Sequence, residues 1–218
     1  MPYFGSAPLA DQPIKNIYCC ENDHAMVEDI TEKLKGRAVV VTCMVDRIST
    51  GRDVVSNEIR GSAEPYAGVI VVLDPPKGVP LAPFTGKNIL VPASRGEAHY
   101  FTRRKITMVN GMHTTLAFMT LCKEEQGNDA GSHVLMTFGG ANAGERAMIW
   151  HWAVARLLLV LWEHDLDTIK HAHGIERNEE VCKILLDYAK DTLNRFDTIH
   201  DTTDRVLGGG VANRWAIR

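Results

Sequence analysis

The sequence predicts an α/β protein: the end of a parallel β-sheet followed by a mostly helical domain. Three observations predict it. Residues 17–20 (IYCC) and 38–45 (AVVVTCMV) are short apolar runs with a helical pattern between them, so that strand, helix and strand succeed one another within about 30 residues. Residues 74–88 hold four of the nine prolines and separate that unit from the rest of the chain. From about Tyr100 onward the apolar spacing turns helical and stays so.

Residues 1–15 are punctuated by Pro and Gly and read as a lead-in. Ile17 to Cys20 forms a buried strand. From Asp23, an N-cap residue, the pattern Ala25–Met26–Val27, Ile30, Leu34 suits a helix that Gly36 closes. The β-branched run 38–45, bounded by Arg37 and Asp46, is the second strand. Val69 to Leu73 is a further strand and Ile89 to Val91 a short extended piece. Helices are expected over 102–125, 143–164, 177–195 and 198–206, punctuated by Gly127, Gly139-Gly140 and Gly174.

Composition excludes several classes of function. The net charge of −3, with no basic run longer than Arg103–Lys105, leaves no footprint for nucleic acid or an anionic membrane. The most apolar run, Leu157 to Trp162 (LLLVLW), falls far short of the ~20 residues a membrane span needs. The N-terminus lacks the charged and apolar regions of a signal peptide. Five cysteines (Cys19, Cys20, Cys43, Cys122, Cys182) without CxxC spacing argue against a disulfide framework or a zinc module. A soluble protein in a reducing, cytoplasmic compartment is expected.

The chemistry concentrates in RRKITMVNGMH (103–113), where Lys105, Asn110 and His113 stand among apolar residues. On a regular helix, 105 and 110 lie about 140° apart, 110 and 113 about 60°, and 105 and 113 about 80°. One face therefore holds all three, buried if Ile106, Val109, Met112 and Leu116 pack around it. Burial lowers a lysine's pKa and makes it a proton acceptor at moderate pH. An asparagine amide can donate to an oxygen bearing developing negative charge, and a histidine can orient or donate to the same oxygen. Equally, such a trio arises by chance on many helix faces.

K-x-x-x-x-N-x-x-H, here Lys105, Asn110 and His113 within YFTRRKITMVNGMHTTLAF, resembles the signature of the polyol-specific long-chain dehydrogenases. Other blocks appear in that family's order. CCEND (19–23) is similar to its Cys-Glu/Asp-Asn segment ending a late strand of the cofactor domain, and CMVDRIST (43–50) to its Met-Val-Asp-Arg-Ile segment at the domain junction. AEPYAGVIV (63–71) resembles the strand opening the substrate domain, and LNRFDTIHDTTDRV (193–206) the C-terminal Arg-Phe…Asp…Arg-Val block. The resemblance covers residues 17 to 206. It implies the tail of a Rossmann-like parallel sheet over 1–57 and a mainly helical substrate and catalytic domain over 58–218.

It further implies metal-independent, NAD- or NADP-dependent interconversion of a hexitol, mannitol or mannitol 1-phosphate, and its ketose, fructose or fructose 6-phosphate. Lys105 would be the acid/base, Asn110 the stabiliser of the alkoxide, and His113 a support for the reacting oxygen. Glu21 and Asn22 would touch the cofactor. Thr42 stands at the matching position, where many members carry an Asn or Asp just before the MVDRI-like block, and its hydroxyl can donate in that role. Where the family often has an acidic residue shortly before the lysine, this chain has Thr102, Arg103 and Arg104. The two arginines suit a substrate phosphate or a solvated helix start. The glycine-rich pyrophosphate turn of such cofactor domains is not found in the 218 residues, so the chain reads as part of a longer enzyme or as a truncated, non-catalytic binding module. A hexuronate reductase of the same superfamily is a further alternative.

Three other features have plainer readings. GGANAGER (139–146) lacks the Lys-Ser/Thr of a phosphate loop and reads as a turn before a helix. His164, His171 and His173 lack carboxylate or cysteine partners at ligand spacing and read as helix-end and loop residues. Asp46-Arg47 reads as an internal ion pair at the domain junction.

Overall fold

The computed structural model describes residues 15–21, 24–73, 86–124 and 132–208. Contacts gather into two compact units: Met1–Arg47 with Ala67–His99, and Ile48–Tyr66 with Tyr100–Arg218. Along the chain they interleave, where the sequence predicts a single cut after residue 57.

In the first unit, β1 (Lys15–Cys20), α1 (His24–Lys33) and β2 (Ala38–Val45) form the expected strand–helix–strand, with β1 and β2 parallel from Lys15↔Ala38 to Cys20↔Cys43. Val27 of α1 and Leu34 directly after it are buried, and Gly36 follows at φ +74°, a left-handed conformation that glycine adopts without strain. The sheet continues through two strands that lie beyond a hairpin of the second unit in sequence, β5 (Ile70–Val72) and β6 (Ile89–Leu90), in the order β1-β2-β5-β6. Here the parallel expectation is corrected. β5 pairs antiparallel with β2, because the connection between them carries a hairpin and no crossover helix, and a parallel pair needs a crossover. The sheet is therefore mixed. Its core is Val41, Cys43 and Val72, packed by Tyr18, Val39, Ile70 and Ile89.

The second unit opens with that hairpin, β3 (Ser49–Val55) and β4 (Glu58–Ala63), joined by a tight turn at which Ser56 takes φ 55°. The residue-57 boundary falls in its tip, between two strands of one unit. Helix α2 (Arg95–Lys105) runs from one unit into the next. It starts earlier than the expected 102, because Ser94 Oγ accepts from the Glu97 amide (3.2 Å) and Glu97 Oε2 accepts from the Ala93 amide (2.9 Å). A π-helical turn, Ile106–Asn110, comes next, then α3 (Gly111–Glu124), α4 (Ala143–Glu163), α5 (Leu166–His173), α6 (Asn178–Thr198) and the short α7 (Thr203–Val206). Met108, Met112 and Leu116 are buried with Ile149, Ala153, Leu157 and Val160 of α4 and Leu185, Ala189 and Leu193 of α6. This i, i+3/i+4 spacing is what a helix needs to bury one stripe. The run 157–162 buries only Leu157 and Val160, and leaves Trp162 83% exposed. Among the described residues, no helix is long and apolar enough to cross a membrane.

Candidate active site

Lys105 ends α2, buried at 6% exposure. Asn110 ends the π turn, half-buried, and His113 lies in the first turn of α3 at 9% exposure. The π turn alters the geometry expected of an unbroken α-helix. The Gly111 amide donates back to the Ile106 carbonyl, an i→i+5 bond that takes up more residues per turn than the α-helical i→i+4 bond. Each residue then advances less than about 100°, and Asn110 comes round closer to the side of Lys105 than the ~140° of a regular helix. π turns of this kind occur frequently at functional sites.

An added Cβ at Gly111 would lie 2.5 Å from Arg156 Nη1, so a side chain there would push the guanidinium aside. Arg156 in turn donates from Nη2 to Thr115 Oγ1 at 3.0 Å, which ties α4 to α3 beside the turn.

His113 is held on two sides. Its ring stacks on Phe196 with centroids 4.6 Å apart and planes 15° from parallel, and its Nε2 lies 2.9 Å from Asp201 Oδ2. Asp201 is 3% exposed. Burial by itself would raise its pKa, but hydrogen bonds from Arg205, His113 and the Thr202 amide outweigh burial and hold the carboxyl well below the usual carboxylate range. Arg205 forks onto both Asp201 oxygens and donates from Nη1 to the Ser49 carbonyl at 2.7 Å. The Asp201 main chain is pinned as well, its carbonyl accepting from the Leu135 amide at 3.0 Å.

A second buried ion pair stands in the same unit. Arg195 donates from Nη2 to Glu64 Oε1 at 2.6 Å and from Nε to Oε2 at 3.1 Å, while its guanidinium covers the Tyr66 ring at 3.9 Å. Glu64 Oε1 also accepts from the Ile48 amide at 2.6 Å.

The two arginines before Lys105 lie in the last turn of α2 rather than at a helix start. Arg103 forks onto Glu163 (2.7 and 2.6 Å), a pairing that raises its pKa. Arg104 is buried, its guanidinium 4.1 Å from the Tyr188 ring centroid and 5.1 Å from that of Phe101. Its Nη1 donates to His173 Nε2 at 3.2 Å; the same nitrogen lies 2.8 Å from the Tyr100 hydroxyl, which must then be a donor too. Burial first, and the Arg104 charge second, lower the His173 pKa to about 4.

The remaining sequence candidates lie elsewhere. Thr42 sits within β2, half-buried, in register with Cys19. Glu21 is exposed just beyond β1, and Asn22 lies outside the described residues. His164 caps the end of α4 with its Nδ1 3.0 Å from the Val160 carbonyl, and the described residues include no His/Cys/Asp/Glu group arranged to hold a metal. The stretch 139–146 ends in a capping box at α4: Asn142 accepts from the Glu145 amide and Glu145 from the Asn142 amide. The Gly139 amide is taken by Asp197 (2.9 Å), an acid where a phosphate loop would present an open donor. A cavity of about 690 Å³, lined by Phe118, Met119, Met148 and Trp152, has neither Lys105 nor Asn110 nor His113 in its wall.

Sequence reasoning missed the roles of Glu64, Arg195, Phe196, Asp201 and Arg205. One signal was available: Asp201 and Arg205 stand at i, i+4 around Thr202, whose side chain caps α7. Comparison of the chain with models of known families, with curated proteins and with solved structures finds no match.

Proposed function

We propose that this chain carries the proton-handling site of an NAD(P)-dependent, metal-independent oxidoreductase that interconverts a hexitol of the mannitol type and its ketose. One observation carries the reading. Residues of three of the blocks whose sequence suggests it, far apart in the chain, meet near His113: Ser49, Glu64 and the stretch from Arg195 to Arg205. His113 contacts Phe196 and Asp201, Asp201 holds Arg205, Arg205 reaches Ser49, and Arg195 holds Glu64.

In the direction of alcohol oxidation, Lys105 accepts the hydroxyl proton. Asn110 donates its amide to the oxygen as negative charge develops there, and no described residue takes that amide's hydrogen bonds. His113 anchors the polyol beside them. Burial of Lys105 and His113 keeps water from the proton transfer and strengthens each of these interactions. In ketose reduction Lys105 returns the proton. Because Arg103 is already engaged by Glu163 and Arg104 is buried among aromatic rings, the unphosphorylated hexitol is the favoured substrate.

The cofactor, NAD or NADP, supplies or takes the hydride. Glu21, exposed at the carboxyl end of a parallel strand, suits its ribose hydroxyls, with Asn22 beside it in sequence. In sequence the β1–α1 connection reads Glu21-Asn22-Asp23 where a phosphate-binding turn has glycine, which does not suit the pyrophosphate. That misfit favours, as the second reading, a module that binds polyol without turning it over.

To test both readings, the protein as isolated from its source is assayed by nicotinamide absorbance with fructose, fructose 6-phosphate and a hexuronate, each with NADH and NADPH, and polyol binding is measured by calorimetry. Turnover with fructose supports the main reading, hexitol binding without turnover supports the second, and turnover of the hexuronate alone overturns the choice of substrate.

A further inference from the structure

The hydrogen-bond polarity of His113 is set by its surroundings. Asp201 accepts hydrogen bonds from Arg205 at both oxygens and from the Thr202 amide at Oδ1, and its pKa is held far down. An ionised carboxylate can only accept, so the imidazole nitrogen facing it, Nε2 at 2.9 Å, must carry a proton. In a neutral ring the other nitrogen, Nδ1, is then a bare lone pair. Among the described residues Nδ1 has no hydrogen-bond partner, while the ring face is covered by Phe196. In its neutral form the ring therefore offers a ligand an acceptor and no donor.

We propose that Asp201 is the positioning residue of His113, fixing the tautomer in which Nδ1 accepts a hydrogen bond from a substrate hydroxyl. The proposal rests on the polyol reading above and deepens it. A reacting carbonyl oxygen has no proton to give, so an acceptor nitrogen cannot hold it on the ketose side. The hydroxyl that His113 takes must stay a donor in both redox states, so it belongs to a carbon other than the reacting one, and we place it on the neighbouring carbon. The site thus selects a substrate with a neighbouring hydroxyl, and simple secondary alcohols lack the group His113 recognises. Arg205 serves the same end one step further out: it holds both Asp201 oxygens and is itself tied to the Ser49 carbonyl, so the carboxylate cannot turn away from the ring. Second-layer groups of this kind fix ring tautomer and orientation wherever a histidine must present one particular nitrogen.

The experiment is long-range proton–nitrogen NMR on the full chain with ¹⁵N-labelled histidine, assigning His113 by its absence in His113→Gln. The wild-type protein should show Nε2 protonated and Nδ1 bare. In Asp201→Asn, Arg205 Nε and the Thr202 amide keep the side-chain oxygen at the Oδ1 place, Arg205 Nη2 loses its acceptor, and the amide NH₂ faces the ring, so the protonated nitrogen should become Nδ1. A wild-type ring protonated at Nδ1 alone overturns the proposal, and needs no variant to fold.

Kinetics on the enzyme as isolated and on its Asp201→Asn variant give the second readout. kcat/KM for the hexitol should fall about 10²-fold, while an analogue lacking the neighbouring hydroxyl should react equally well in both. An equal loss with both substrates shows a merely structural role and overturns the proposal. Absence of any polyol turnover, with the Nε2-protonated ring intact, overturns the dehydrogenase reading and leaves Asp201 as the group that sets the tautomer.

Discussion

Arg195 reaches Glu64 across 131 residues of sequence and forks onto it with both partners almost wholly buried, at 5% and 1% side-chain exposure. The pair joins α6 to the segment that leaves the β3–β4 hairpin. Its worth lies in mutual satisfaction: each charge has left water, and each has its hydrogen-bond partners.

Removing one member should therefore cost more than the pair contributes. Glu64→Gln is expected to lower stability by about 3–5 kcal/mol, read from urea denaturation. Replacing both, as Glu64→Leu with Arg195→Met, should recover part of the loss but not all, because the Ile48 amide loses its acceptor. A Glu64→Gln variant within about 0.5 kcal/mol of wild type would show the pair to be solvated.

Lys105→Ala should lower turnover by about 10²–10⁴-fold, the usual range for a positioned acid/base, with thermal stability little changed. Turnover near wild type at the variant's own pH optimum would remove Lys105 from that role.

Gly174 stands directly after α5 at φ 61°, ψ 37°, its amide donating to the His171 carbonyl, and an added Cβ would meet nothing within 4 Å. The cost of a side chain there is conformational only. Gly174→Ala should destabilise by about 1–2 kcal/mol and Gly174→Asn by less, since asparagine tolerates the left-handed region. Equal midpoints for the two variants would contradict this.

His173 makes stability depend on acid. Its folded pKa of about 4 lies below the ordinary 6.5, so between those values the unfolded chain binds a proton that the folded chain refuses. Stability owed to this group is full above about pH 6.5 and is lost as the pH falls toward 4. A urea-midpoint series should show that slope in the wild type and a shallower one in His173→Gln. Parallel slopes would assign the effect to other groups.

Much of the fold is legible in the sequence because its signals are local. The run AVVVTCMV is β2 without a residue to spare, and the 143–164 helix and the Gly36 stop stand close to where apolar spacing and turn chemistry place them. The β3–β4 hairpin is not legible, since β4 is exposed throughout and the turn carries Ser56 at positive φ where glycine or asparagine would have marked it. Helix α5 is hidden because its capping aspartate, Asp165, comes only one residue after the cap of α4 begins. The start of α2 has a readable sign in Ser94-x-x-Glu97, which Pro92 just before it masks. Strand direction at β5 has no sequence signal at all. In the candidate site, Lys105, Asn110 and His113 are visible as residue types at a spacing. Their partners are not, because a contact between His113 and Asp201 is a property of the folded chain, and the local sequence around each is compatible with many others.

The π turn carries a consequence for insertions and deletions. A one-residue deletion anywhere from Ile106 to Asn110 would let α2 and α3 run together as one α-helix from Arg95 to Glu124, more regular by every local measure. One residue fewer at about 100° each covers nearly the same angle as the wide turn, so α3 would keep its direction relative to Lys105 and only the bulge would go. The neater helix lies one codon away, and the chain keeps the wider turn at the point where Lys105 and Asn110 stand.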